Sequence, residues 1–312
     1  MTFPQLNSDL LLSRLEHPSQ KGPRQIRMVL DTDTYNEIDD QFAVAYALLS
    51  PERLKVEAIY AAPYHNNRSS GPGDGMEKSY DEILRLLNRL KVPSAGFVFR
   101  GSTTYLSGRS EPERSPAALD LIEKALASPE GDPLYVVAIG AITNVASAIL
   151  IEPEIIRRIV VVWLGGQPHW LHFATEFNLM QDKRASQLMF DCGVPLVQIP
   201  CQGVASHLLT TVPELESALQ GRNAISNFLL ERFCEYHEDH FAWAKEIWDI
   251  SSIAYLLDEQ WVPARVKPSP ILTDDLTWEA PPTGRHAMKM AWALHRNPIF
   301  RDLFLKLQAV KD

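Results

Sequence analysis

The sequence is poor in the features that define several large protein classes. It has three cysteines, Cys192, Cys201 and Cys234, an odd number without metal-type spacing. That excludes a disulfide framework and a zinc ribbon, and it reads as reduced thiols in a cytoplasmic protein. Basic residues are the minority, 30 against 39 acidic ones for a net charge of −9. No basic stretch of the kind that nucleic-acid binders carry is present, so no nucleic-acid partner is expected. No window approaches the roughly 20 apolar residues of a membrane span, and residues 1–25 lack the apolar stretch of a signal peptide. There is no internal repeat, no low-complexity segment and no clear linker. The expectation is an N-terminal extension, 1–25, followed by a single domain, 26–312. With 46% hydrophobic residues the chain has ample material for a core.

What is there is an alternation of short β-branched runs with helical patterns. Strands are expected at 26–30, 55–62, 95–99, 133–140, 159–166 and 195–200. Helices are expected at 39–50 and 76–90, from Asn144 and from Asp182, with a mostly helical part from about residue 213. Apolar strands alternating with helices predict an α/β fold with a mainly parallel, Rossmann-like sheet flanked by helices. Two long loops stand out, 63–75 and 165–178, and such loops in compact α/β proteins are often functional.

The first strand runs into VLDTDTYNEIDDQ, which places Asp31, Asp33, Glu37, Asp39 and Asp40 within ten residues. Ligands of open parallel sheets bind beyond the carboxyl ends of the strands. Asp39 and Asp40 would sit in the first helical turn, where the helix dipole favours negative charge. The dipole does not account for Asp31 and Asp33. Converging carboxylates repel unless a cation neutralises them or some stay protonated, and an all-oxygen set suits Ca²⁺ or Mg²⁺ rather than zinc.

Four blocks in order resemble the inosine/uridine-preferring nucleoside hydrolases. Asp31-Thr32-Asp33, a loop, and Asp39-Asp40 resemble that family's D-x-D…D-D opening, with a loop two residues longer and no Pro-Gly. AIGAITNVASAI (138–149) resembles its G-P-L-T-N turn, and Glu176-Phe177-Asn178 with Asp182 its E-F-N-x-x-x-D element. WDISSIAYLLD (248–258) resembles its H-D-x-x-A helix, with Trp248 where histidine is usual.

The resemblance implies a Ca²⁺-dependent hydrolase that cleaves a nucleoside, or a nucleoside-like small molecule, to free base and sugar, assembled as a homodimer or homotetramer. It makes Asp33, Asp40, Asp249 and the backbone carbonyl of Thr143 the metal ligands, and Asp33 also the general base on the attacking water. Asp39, Glu176 and Asn178 would hold sugar hydroxyls. The family's Gly-Asn before E-F-N is replaced by 169–174, and its asparagine after the second strand has Asn66 or Asn67 as its substitute. In the segment 227–247, read as one helix, Tyr236 and His240 share a face; His240 is the expected leaving-group acid and Tyr236 orients the base. Trp248 would stack on the base or pack in the core.

Plainer readings stand beside these. Thr143-Asn144 is also a turn and helix cap, Asp182 an N-cap, and Asp249 a cap or a partner of Lys245. Two rival functions remain at this point. One is a non-catalytic Ca²⁺-dependent nucleoside- or sugar-binding protein. The other is a haloacid-dehalogenase-type phosphatase, in which Asp31 is the nucleophile, Asp33 the acid/base and ILTDD (271–275) the late acidic motif.

Overall fold

The computed structural model describes residues 3–21, 25–108, 110–129 and 131–311. The strands are β1 Ile26–Thr32, β2 Leu54–Ala61, β3 Val98–Arg100, β4 Leu134–Ala138, β5 Ile159–Leu164, β6 Leu196–Ile199, β7 Leu209–Thr210, β8 Lys245–Glu246, β9 Ala264–Pro268, β10 Ile271–Leu272, β11 Trp278–Glu279 and β12 Ala287–Ala291. The helices are α1 Ser8–Leu15, α2 Asp39–Leu48, α3 Pro72–Leu90, α4 Pro116–Leu126, α5 Thr143–Ile151, α6 Phe177–Gln181, α7 Lys183–Asp191, α8 Val212–Leu219, α9 Ala224–Glu235, α10 Ile250–Leu257 and α11 Arg296–Gln308.

Eight strands form one sheet in the order β3-β2-β1-β4-β5-β6-β12-β9. Every pairing is parallel except β12 with β9 at the edge. Side chains alternate between two apolar layers, as the period-2 pleat requires. Met28 and Leu30, Val160 and Val162 face the layer built by α2, α3 and α8–α11. Val29, Val161 and Trp163 face the layer built by α4, α5 and α7. Both faces of the sheet are therefore covered, which is why the strands read as unbroken apolar runs.

Three expectations are corrected. The part after residue 213 is not mostly helical, because β9 and β12 extend the sheet and β10 pairs with β11. The helix expected from residue 76 begins at Pro72, a residue suited to the first helical position, so the 63–75 loop is shorter than expected. The segment 227–247 is not one helix. Helix α9 ends at Glu235 with Tyr236 as its C-cap, and side chains then hold a turn: the Asp239 amide donates to His237 Nδ1 at 3.2 Å, and the Phe241 amide to Asp239 Oδ1 at 2.9 Å. Such local bonds compete with the helical ladder. The described part of the N-terminal segment is docked, with Leu11 and Leu15 in the core and His17 buried against the Tyr255 carbonyl.

The strand order reverses at β1, which lies between β2 and β4. The crevice beyond their carboxyl ends is where an open α/β sheet binds ligand. The β1–α2 and β4–α5 connections both open there.

Candidate active site

A cavity of about 320 Å³ occupies that crevice, within the size range of small-molecule sites. Its walls include Asp33, Asn36, Glu37, Asp39 and Asp40 from the first connection and Ile139 from the second. The E-F-N element supplies Glu176, Phe177 and Asn178, and Trp248 with Asp249 closes the far side.

The acidic floor is buried. Asp33 is fully inaccessible, and Asp39, Asp40 and Asp249 are nearly so. Asp39, Asp40 and Asp249 each offer an oxygen within 4.8 Å of the others. Burial, first, and then the neighbouring carboxylates push Asp33, Asp40 and Asp249 well above the usual carboxylate range. Asp39 rises to about 6, chiefly through burial, with Lys245 opposing. Both oxygens of Asp33 are buried without a hydrogen-bond partner among the described residues. A Cβ on Gly140 would come within 2.9 Å of Asp33 Oδ1, so glycine there makes room for this carboxylate. Leaving such acceptors unpaired costs about 1–3 kcal/mol each unless something unseen satisfies them. The oxygen-only donor set and the orphaned carboxylate fit a hard divalent cation.

Asp31 faces elsewhere. Its Oδ1 accepts from Asn144 Nδ2 at 2.8 Å, and burial raises it to about 7. Asn144 in turn accepts from the amide and hydroxyl of Ser102. Asp31 and Asn144 thus tie β1 to the start of α5. Asp249 stands at the N-cap position of α10, yet its side chain makes no cap bond, and Lys245 pairs with Glu37 instead. Neither plain reading of Asp249 accounts for where its carboxylate sits.

Glu176 caps α6 and accepts from the amides of Gly166, Asn178 and Leu179 at 2.8–3.1 Å. Burial still pushes it upward. Asn178 Nδ2 donates to the carbonyls of Ile139 and Leu164, which joins the ends of β4 and β5. Its Oδ1 takes no hydrogen bond from a described residue. Asp182 is the N-cap of α7, accepting from Ala185 N at 3.0 Å.

The structure therefore gathers Asp33, Asp39, Asp40, Glu176, Asn178, Trp248 and Asp249 around one cavity. It does not place Thr143, Asn66, Tyr236 or His240 in the wall. The Thr143 hydroxyl donates to Asp182 at 2.7 Å. Asn66 donates to Asn36 Oδ1 at 2.6 Å and so acts on a wall residue. His240 Nε2 meets the Cys234 carbonyl at 3.0 Å, and its ring lies against Trp243. Tyr236 is half-exposed beside Lys245. The end of α9 at Glu235 removes the shared helical face on which the pairing of Tyr236 with His240 rested.

Sequence reasoning missed Asn36, Gln167, Cys201 and Gln202, and it gave Glu37 no role. Glu37 and Asn36 lie inside the acidic motif itself, which was the available signal. Cys201, read as a reduced thiol, reaches the cavity, and burial, reinforced by the Glu176 carboxylate, pushes its thiol up. Asp274 of the ILTDD segment pairs with Arg184 at 2.8 Å on the surface, outside the cavity wall.

An open parallel sheet with a carboxylate-floored cavity at its switch point defines a small-molecule enzyme of the open α/β class. The chain matches the inosine-uridine preferring nucleoside hydrolase family over residues 28–294. It is 30% identical over 273 residues to the pyrimidine-specific ribonucleoside hydrolase RihA of Klebsiella pneumoniae (strain 342), spanning 75% of this chain and 83% of that protein. Among solved structures it superposes on a plant nucleoside hydrolase with a TM-score of 0.71 at 21% identity. That match covers 92% of this chain and all of the other. An inosine-guanosine nucleoside hydrolase gives 0.72 at 16% identity with the same coverages. The chain belongs to the inosine-uridine preferring nucleoside hydrolase family, and is thus an N-glycosyl hydrolase that splits nucleosides into base and sugar. The phosphatase reading falls with that membership. Among the described residues no helix is long and apolar enough to cross a membrane.

Proposed function

We propose that this enzyme is a Ca²⁺-dependent nucleoside hydrolase in which Asp33 is the general base. The observation that carries the reading is the Asp33 carboxylate, buried, without a hydrogen-bond partner among the described residues, and lining the same cavity as Asp39, Asp40 and Asp249. Asp33, Asp40 and Asp249 would hold the cation, with the Thr143 carbonyl as a further candidate ligand. When bound, the cation neutralises the carboxylates and acidifies the attacking water.

The remaining roles belong to the chain. Asp33 takes the proton of the water that attacks the anomeric carbon. The sugar develops positive charge as the glycosidic bond breaks, and a floor of fixed carboxylates favours that charge without reorganising. Asp39 accepts from sugar hydroxyls beside it. Glu176, spent on three backbone amides, is held rigid, and with the free Oδ1 of Asn178 it receives a hydroxyl at the opposite wall. Trp248 covers the base by stacking. An indole is not a general acid near neutral pH, and His240 is held to the Cys234 carbonyl outside the wall. Easier leaving groups should therefore react faster.

The test is a panel of purine, pyrimidine and modified nucleosides incubated with the protein and Ca²⁺, with free base and reducing sugar measured together. Release of both in equal amounts, lost in Asp33→Asn, supports the proposal. Turnover undiminished by a chelator removes the Ca²⁺ requirement, and undiminished turnover in Asp33→Asn removes the base role.

A further inference from the structure

The β1–α2 connection, longer by two residues than the family pattern it resembles, turns Asn36 and Glu37 into the cavity, and the reading above uses neither. Glu37 is the informative one. Its Oε2 accepts from Lys245 Nζ at 2.5 Å, across 208 residues of sequence. Its Oε1 takes no hydrogen bond from a described residue, and the side chain stays 35% exposed in the cavity wall. Lys245 Nζ also lies 5.9 Å from the Trp248 ring. The ion pair thus lies near Trp248, and Glu37 and Trp248 line the same cavity, so a base stacked on Trp248 would lie within reach of the free Glu37 oxygen.

The loop is fastened in that position. Arg68 Nη1 donates to the backbone carbonyls of both Asn36 and Glu37, at 3.3 Å each. Asn66 donates to Asn36 Oδ1, and the Arg68 amide donates to Asn66 Oδ1 at 2.8 Å. The guanidinium of Arg68 sits 4.9 Å from the centre of the Tyr35 ring. A carboxylate fixed by one oxygen presents the other as an acceptor that cannot donate. Pre-organisation of this kind converts a contact into selectivity, because little is lost in ordering it.

On the nucleoside hydrolase reading, we propose that Glu37 is a specificity residue that accepts an N–H from the edge of the base. The substrates favoured are nucleosides whose base carries a donor there, an exocyclic amine or a ring N–H. Bases without one cover the carboxylate oxygen and leave it unpaired, and sites built to hydrogen-bond a substrate group reject analogues that lack it.

The experiment compares paired substrates that differ by the donor alone: adenosine with purine riboside, and cytidine with 2-pyrimidinone riboside. kcat/KM is measured for each in wild type, Glu37→Ala and Glu37→Gln. Comparing the donor/no-donor ratio between enzymes cancels the intrinsic difference in leaving-group ability. In whichever pair the enzyme turns over, the ratio should fall at least about tenfold in Glu37→Ala, the scale of a hydrogen bond to a charged group. Glu37→Gln can keep the Lys245 bond through its oxygen and turn its amide nitrogen to the base, so its ratio should fall as well. Equal losses on both members of a pair, or an unchanged ratio, overturn the inference while the hydrolase reading stands. Cleavage of no nucleoside by the wild type overturns the hydrolase reading and this inference with it.

Discussion

The cation site makes a prediction with a crossing in it. Asp39, Asp40 and Asp249 hold oxygens within 4.8 Å of one another in a buried floor. Two unit charges at that distance repel by about 3 kcal/mol at an effective dielectric of 20. Protonation relieves part of this in the metal-free protein, as the upward shifts of Asp40 and Asp249 indicate. Asp249→Asn deletes one charge at nearly constant volume. The metal-free variant should therefore be more stable than metal-free wild type, by on the order of 1 kcal/mol. With Ca²⁺ the order should reverse. A cation at a hundredfold excess over its Kd adds about 2.7 kcal/mol to wild type. For a chain of this size that is a rise in Tm of roughly 5 °C, and the variant, lacking a ligand, should gain much less. The assay is thermal unfolding of both proteins after exhaustive chelation and again in millimolar Ca²⁺, with Mg²⁺ in parallel. If metal-free Asp249→Asn melts below metal-free wild type and both respond equally to Ca²⁺, the carboxylates do not enclose a cation and Asp249 is structural.

The other predictions are briefer. Asp33→Asn should lower kcat by on the order of 10²–10⁴ with little change in KM, as expected for a general base; steady-state kinetics on any cleaved nucleoside decide it. Trp248→Ala should raise KM for aromatic bases about three- to tenfold, the scale of a lost stacking contact, and an unchanged KM would return Trp248 to core packing. His169 packs against Trp278 and Phe190, and burial, reinforced by Lys267, lowers its pKa to about 3. Between about pH 6.5 and 3 the unfolded chain binds a proton there and the folded one does not, so stability falls as pH falls through that window. His169→Phe should flatten this acid limb by up to about 1 kcal/mol per pH unit, measured by denaturant unfolding from pH 7 to 4. An unchanged slope would assign the limb to other groups, of which His286, lowered to about 4 by burial, is the next candidate.

The strands of the main sheet were legible because both faces of the sheet are covered, so β4 and β5 are runs of buried, largely apolar residues and β1 is apolar from Met28 to Leu30. The same logic explains what was missed. β9 at the sheet edge exposes Arg265 and Val266 and ends in Pro268, and β12 is built of Ala, Met and Lys. β12 carries no β-branched residue and β9 only Val266, and Pro268 is tolerated because an edge strand need not donate on both sides. α9 was overextended because apolar spacing continues past Glu235. What stops the helix is hydrogen bonding by His237 and Asp239, which periodicity does not register.

For the site, legibility tracked how local the chemistry is. Asp33, Asp39 and Asp40 share one strand–loop–helix step, so their convergence follows from chain geometry, and the E-F-N element is likewise continuous. Asn66 shows where local reading stops. It was expected on the sugar, but its amide is committed to Asn36 and its carbonyl oxygen to the Arg68 backbone, so its influence on a ligand passes through the β1–α2 loop. Glu37 shows the same from the other side. In sequence it is one more acid in an acidic run, and solvation is its natural reading. In space a lysine 208 positions away holds one oxygen and leaves the other in the cavity. The longer loop is thus more than a departure from a family pattern. Asn66 and Arg68 brace it, Lys245 orients it, and its two inward side chains line the same cavity as the carboxylate floor and Trp248.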